Sequence, residues 1–430
     1  MAHLAIICPE DAGHLMSVGN IGVELARRGH RVTLVARREA RAIAENLGLD
    51  LAPIGDDDFR FPFPHLLWAA CWLIGAPYFA VYRHWVEWHI ESAMRQLPHM
   101  LRSLCVDGMV IDQAILAGGT VAERLGLPHV TVASALPWNT EPSIPPNFTP
   151  WTNAPGRLAR WRNIGAYAAW HRLLRSPLRR LNRHRRAHGL PPLRRLDDTF
   201  SRLAQISQLS PDLDFPRPSA PPHFHHIGSL AATRPENASH DFPWDWLDGR
   251  PLVYASLGTV PDGTNRKVLQ RILTACAPLD AQVVLTIGKW EENARASRAM
   301  PKDIPANALV VDFAPQLELL SKATVLITHA GINTVLEAIT REVPMVALPR
   351  SADQPGMAAR IQRAGIGLVG SFSRSTPAQI RELVGRVLAE PSFRSRVRQM
   401  RGSIEAAGGV ARAAAITEQA IATRQPVCRP

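Results

Sequence analysis

The 430-residue chain is poor in the features that mark several protein classes. Its five cysteines (Cys8, Cys71, Cys105, Cys276 and Cys428) show no C-x-x-C spacing, which argues against zinc sites and a disulfide framework and fits reduced thiols in a cytoplasm. No secretory signal opens it. The start, MAHLAIICPE, lacks a basic n-region and reaches Glu10 and Asp11 after a short apolar run that reads as a buried parallel strand. The sequons at Asn147 and Asn237 are then not expected to carry glycans. No Asp-x-Asp pair stands in a plausible position, so no metal or other cofactor is expected, and Asp56-Asp57-Asp58 reads as a solvated loop. The uncharged run from His65 to Tyr82 approaches the roughly 20 residues that cross a bilayer, but Gly75-Ala76-Pro77 would break such a helix midway. A buried or acceptor-lining segment is expected there instead, within an aromatic stretch from Phe59 to Trp88.

Acidic residues are also missing from Trp151 to Leu196, where twelve arginines stand in a chain of net charge +12. Charge alone does not choose between nucleic acid, anionic lipid and an acidic partner. Trp161, Trp170, Leu173, Leu174 and Leu178 interleave with the arginines, as in an interfacial helix; a solvated basic face fits equally well. A nucleic-acid-binding protein would need a recognisable module, and none is legible.

What is present is an apolar fraction of 46% and a length that suits two domains of about 200 residues each. Short apolar runs alternate with helical patterns, the mark of βαβ units and parallel sheets. Leu4–Cys8, Val32–Ala36, Met109–Ile111 and Val130–Ala133 read as strands in the first half. Leu252–Ser256, Val283–Ile287, Ala308–Val311, Val325–Thr328 and Met345–Ala347 do so in the second. Met16–Arg28, Glu39–Leu47 and Gly119–Leu125 read as helices. The Pro-rich segment Pro211–Pro222 reads as the approach to a junction. The expected division is therefore residues 1–215, residues 223–405, and a terminal helix within 406–430 that crosses back to the first domain. Open parallel sheets bind ligands at the carboxyl ends of their strands, here a shared cleft.

The segment from Phe313 to Gln354 carries the most chemistry. Val325–Thr328 runs into the turn His329-Ala330-Gly331 and a helix starting near Asn333, whose N-terminus would offer free N–H groups to a phosphate. Gly331 lets the backbone approach closely, and His329, Asn333 and Thr334 add side-chain donors. Glu337, one turn on, is placed to accept from ribose hydroxyls. Asp353 and Gln354, after the next strand, supply a carboxylate and an amide suited to the vicinal hydroxyls of a sugar.

The spacing of these residues, with Phe313 and Gln316 before them, resembles the donor signature of the UDP-dependent glycosyltransferase superfamily. That resemblance implies the GT-B fold, two Rossmann-like α/β domains facing a cleft. It implies that Phe313 stacks on uracil, that His329, Asn333 and Thr334 hold the diphosphate, that Glu337 holds the ribose, and that Asp353 and Gln354 read glucose. Ser256-Leu-Gly-Thr259 resembles the family's phosphate-touching loop, acting through Thr259. Phe313 stands where tryptophan is commoner, the interval from Gln316 to His329 is shorter than in plant members, and Glu342 replaces a usual glycine.

In this family a histidine after a glycine follows the first strand as general base, and Gly13-His14 fits that place. A neutral imidazole near its ordinary pKa would suit the task. Asp112, ending the strand Met109–Ile111, is expected to orient His14 and stabilise its imidazolium. Runs such as Val110-Ile-Asp112-Gln and Ala314-Pro-Gln-Leu-Glu-Leu-Leu320 are most similar to bacterial carotenoid (zeaxanthin) glucosyltransferases. The expected reaction is inverting transfer of glucose from UDP-glucose to a hydroxyl of an apolar acceptor, with the enzyme in the cytoplasm and its basic stretch able to seat on the inner face of the membrane. The alternatives are another lipophilic acceptor (a macrolide, flavonoid or sterol), a GT-B-fold sugar-nucleotide epimerase, and a basic nucleic-acid-binding protein.

Overall fold

A computed structural model describes residues 1–54, 76–231, 242–258, 265–288 and 301–429. The Asp56–Asp58 cluster, most of the uncharged run at 65–82 and the sequon at Asn237 lie outside the described residues.

In chain order the strands are β1 (His3–Ile7), β2 (Arg31–Ala36), β3 (Asp50–Pro53), β4 (Gly108–Asp112), β5 (His129–Ala133), β6 (Gln205–Ser207), β7 (Phe224–His226), β8 (Leu252–Ser256), β9 (Gln282–Thr286), β10 (Ala308–Val311), β11 (Val325–Thr328), β12 (Met345–Ala347) and β13 (Gly367–Val369). The helices are α1 (Ala12–Arg27), α2 (Arg41–Leu47), α3 (Ala76–Leu104), α4 (Gly118–Leu125), α5 (Arg157–Leu173), α6 (Arg175–Ala187), α7 (Asn265–Cys276), α8 (Gln316–Lys322), α9 (Ile332–Thr340), α10 (Gln354–Ala364), α11 (Pro377–Ala389), α12 (Pro391–Ala406) and α13 (Gly409–Thr423).

The strands form two parallel sheets, ordered β3-β2-β1-β4-β5-β6-β7 and β10-β9-β8-β11-β12-β13. Their continuous apolar runs follow from burial on both faces. Along β1 and just past it, Leu4, Ile6 and Cys8 pack with α1 and α13, while Ala5 and Ile7 pack under α3 and α4. The second sheet repeats this: Leu252 and Tyr254 face α9, α10 and α12, and Val253 and Ala255 face α7 and α11.

The expected boundary at residue 223 is displaced. Phe224–His226 pairs with β6 as the last strand of the first sheet, and Leu230 still belongs to that sheet's core. Pro211–Pro222 is not a solvated linker: Leu213 packs into the core of the second domain, and Asp214 and Phe215 are fully buried. The chain runs along the seam between the domains and returns to the first before leaving it. At the far end, α13 packs against α1 and β5, burying Ala413, Ala414, Ala420 and Ile421 in the first domain.

Candidate active site

The carboxyl ends of both sheets meet at one cleft. On the first side, the loop after β1 enters α1, and His14 sits in its first turn. β4 pairs with β1, so its last residue, Asp112, lies beside that loop. His14 Nδ1 lies 3.0 Å from Asp112 Oδ2, and Asp112 is fully buried. Ser134, after β5, donates through Oγ to the same carboxylate oxygen and stands 2.7 Å from His14 Nδ1. Asp112 Oδ1 is held by the backbone N–H of Ala114.

This environment corrects the expectation of an ordinary imidazole. Burial works to lower the His14 pKa, but the charge and hydrogen bond of Asp112, with Asp11 and Asp353 beyond, outweigh it and raise it to about 9. The raised value makes the protonated imidazole, beside the Asp112 side chain, the favoured form of His14 at neutral pH.

On the second side, Thr328 at the end of β11 pairs with Ser256 of β8 and Ala347 of β12. The turns that follow these strands are therefore neighbours. His329 folds back over the turn: a Cβ on Gly331 would lie 2.5 Å from its Nε2, and one on Gly258 would lie 3.1 Å from its Cε1. Gly331 thus has ordinary negative φ, and its missing side chain makes room for the imidazole. Between them Ala330 is held left-handed at φ 67°, a strained state for a residue with a Cβ. Burial pushes the His329 pKa down to about 4, with Arg350 adding to the effect against a ring N–H bond to the Ser256 carbonyl. His329 is therefore neutral, and among the described residues its buried Nδ1 meets no hydrogen-bond partner. An unsatisfied ring nitrogen at the uncapped start of α9, with its free N–H groups, fits a phosphate oxygen.

Gln316, Thr334 and Glu337 come together. Gln316 accepts from the Tyr254 hydroxyl at 3.3 Å, and its Nε2 donates to Glu337 Oε2 and stands 3.5 Å from Thr334 Oγ1. Phe313, half-buried, follows β10 on the same side. Asp353 N-caps α10, and Gln354 is its first residue, with Oε1 accepting from the N–H groups of Arg350 and Ser351. Thr259 lies outside the described residues; Ser256 ends β8 as expected. Glu342 takes the left-handed conformation its usual glycine would adopt, at φ 59°, and pairs with Arg398 and Arg401.

Asn333 shows a role that spacing did not indicate. Its Nδ2 donates to Gly13 O at 2.9 Å, and its Oδ1 accepts from Ser17 Oγ and Gln208 Nε2, both at 3.0 Å. It therefore ties the turn after β11 directly to the residue preceding His14. Asp353 makes a second tie, accepting from Leu136 N at 3.0 Å. Ser17, Ser134 and Gln208 are the members that sequence reasoning missed. Gln208 also donates to Ser134 O on its own side of the cleft, which fixes the amide that reaches Asn333 on the other.

Next to the base loop, an apolar cavity opens beside the ends of β1 and β2, lined by Cys8, Pro9, Ala36, Trp85, Trp88 and Ile115 among others. His89 also lines it and is held neutral, its pKa pushed down to about 4 chiefly by burial.

Comparison with known proteins agrees with this arrangement. Residues 197–404 match the family model described as UDP-glucoronosyl and UDP-glucosyl transferase. A zeaxanthin glucosyltransferase of Pantoea ananas is 35% identical over 99% of this chain and 98% of its own. Another from Pseudescherichia vulneris is 32% identical over 99% and 100%. Among solved structures, the glycotransferase of kitacinnamycin superposes with a TM-score of 0.75 at 21% identity, covering 97% of this chain and 98% of that one. The calicheamicin glycosyltransferase CalG4 does so at 0.70 and 22%, covering 99% of each; both share the two-sheet α/β architecture of the GT-B fold. With full-length relatives and the matching fold, this chain belongs to the UDP-glucoronosyl and UDP-glucosyl transferase family and is a glycosyltransferase enzyme.

Proposed function

We propose that the enzyme transfers glucose from UDP-glucose, with inversion, to a hydroxyl of an apolar acceptor of the carotenoid class. The observation that carries this reading is the bond from Asn333 Nδ2 to Gly13 O, which sets the expected donor turn one residue from the expected base. With Nδ1 engaged by Asp112, the neutral form of His14 takes the acceptor proton at Nε2. The acceptor oxygen then forms its bond to the anomeric carbon from one face as the bond to UDP breaks on the other. The diphosphate leaves onto the N–H groups opening α9, Thr334 and the Nδ1 edge of His329. Glu337, oriented by Gln316, takes the ribose hydroxyls, Phe313 stacks on the base, and Asp353 and Gln354 take the hexose.

The apolar cavity beside Cys8 and the names of the full-length relatives favour a carotenoid hydroxyl over a polar acceptor. The test is incubation of the purified enzyme with UDP-glucose and zeaxanthin in detergent, read by mass spectrometry. One hexose added per reacting hydroxyl, with a β-linked product from the α-linked donor, is expected. Transfer to a macrolide or sterol but not to zeaxanthin would move the acceptor class. Loss of UDP-glucose to a new nucleotide sugar without acceptor would replace transfer with epimerisation.

A further inference from the structure

Among the described residues four large hydrophobic side chains stand exposed, and two of them, Leu158 (87%) and Trp161 (68%), share one turn of α5. Three positions apart, they are neighbours on one helix face. Exposed Gly165, Ala168 and Ala169 extend the uncharged surface of α5, and exposed Arg157, Arg160 and Arg172 edge it. On α6, Arg175, Arg179, Arg183 and Arg186 are exposed at intervals of four, four and three, one basic stripe, while Pro177 and Leu181 turn inward. The remaining arginines of α6 are neutralised from within the domain: Arg180 by Glu87 and Glu91, and Arg185 by Glu123. Among the described residues no carboxylate lies within ion-pair distance of Arg157, Arg160, Arg179, Arg183 or Arg186.

We propose that this face docks on an anionic membrane surface, with Leu158 and Trp161 entering the boundary of the acyl chains and the arginine stripe lying among headgroup phosphates. A merely solvated helix face has no use for an exposed leucine and tryptophan on one turn. A phosphate surface with hydrocarbon directly beneath it matches both halves of the pattern, whereas a nucleic-acid backbone matches the arginines alone. Docking of this kind holds whichever hydroxyl the enzyme serves. If the acceptor is membrane-dissolved, the placement also gives it a path. Behind the face lies a second apolar cavity, walled by Leu178 and Leu196, that shares Ile90 and Leu116 with the cavity beside Cys8 and Pro9.

The experiment is cosedimentation of the full chain with vesicles of phosphatidylglycerol mixed into phosphatidylcholine, and with phosphatidylcholine alone, at low and high salt. Binding to the anionic vesicles that falls steeply with salt is expected. The triple variant Arg179→Gln/Arg183→Gln/Arg186→Gln should partition on the order of a hundredfold less, at about a factor of five per arginine. The double variant Leu158→Ser/Trp161→Ser should bind more weakly even at low salt. Unchanged UDP binding by calorimetry shows that both variants remain folded. Equal binding to phosphatidylcholine, or variants that sediment like the native chain, would overturn the proposal. So would displacement from the anionic vesicles by an equal charge concentration of duplex DNA, in favour of a nucleic-acid partner.

Discussion

Replacing Asp112 by asparagine isolates what the carboxylate does for the base. In the native site His14 is raised from 6.5 to about 9, against the pull of burial. That rise corresponds to about 3 kcal/mol in favour of the charged imidazole, an upper figure because a quarter of the ring is exposed. The neutral form is then about one part in a hundred at pH 7 in the free enzyme, so kcat/KM should climb about tenfold per pH unit and level off near pH 9. In Asp112→Asn, burial is left unopposed and the pKa should fall below 6.5. More of the base is neutral at pH 7, but the imidazolium formed in the transition state has lost its counter-charge and the tautomer its fixed partner. The plateau should therefore drop by about 10³ to 10⁴, while the inflection moves to acid pH. Release of UDP, followed for both proteins between about pH 6 and 10 with acceptor well below its KM, reads both quantities. A native profile flat from 7 to 9, or a variant that keeps its inflection near 9, would refute the reasoning. The stability linkage has the matching sign. A raised histidine pKa contributes fully below 6.5, and that contribution is lost as pH rises through about 9. Native thermal stability should therefore decline over that window, and the decline should be missing in the variant.

Three further outcomes follow from the geometry. Asn333→Ala removes hydrogen bonds to Gly13, Ser17 and Gln208 at once, and kcat/KM should fall by about 10- to 100-fold with a smaller loss of UDP affinity by calorimetry; a loss confined to UDP affinity would mean that the tie to the base loop is idle. Gly331→Ala places a Cβ 2.5 Å from His329 Nε2, so UDP affinity should fall at least about tenfold with His14 titrating as before, which an NMR pH titration of the histidine ring would show. Asp214, fully buried between Arg217, Arg360 and His226, is held well below the usual carboxylate range because the two guanidinium groups and the His226 hydrogen bond outweigh burial. Asp214→Asn should cost about 3 to 5 kcal/mol in denaturant unfolding, and the native contribution should persist above the ordinary carboxylate pKa and be lost only as pH falls through the depressed one.

Strands buried on both faces were the most legible elements. Leu252–Ser256, Val325–Thr328 and Met345–Ala347 run as expected because two-sided burial leaves an unbroken apolar run. Gln205–Ser207 and Phe224–His226 escaped because three-residue strands near a sheet edge carry polar side chains and have no periodicity to detect. The domain boundary was misplaced for a related reason: prolines mark where regular structure stops, and they say nothing about whether the irregular segment is solvated or lies in a seam. The residues expected to hold the donor were legible as a cluster because they follow the ends of three successive strands, β10, β11 and β12. Ser134, Ser17 and Gln208 were not, since three separate elements bring them to Asp112 and Asn333. The raised pKa of His14 was equally hidden, depending on an aspartate 98 positions away and on a depth of burial that no local pattern encodes.

The return of α13 to the first sheet has a consequence for how the molecule is made. Ala413, Ala414, Ala420 and Ile421 complete the core that holds Leu4 and Ile6, so strands made before the second domain wait for a helix made after it. The nascent first half must remain incompletely packed, with the apolar flank of α1 uncovered, through synthesis of the whole second half. Chaperone demand should therefore fall late, and a nonsense truncation before Gly409 should destabilise the first domain although it leaves both sheets encoded.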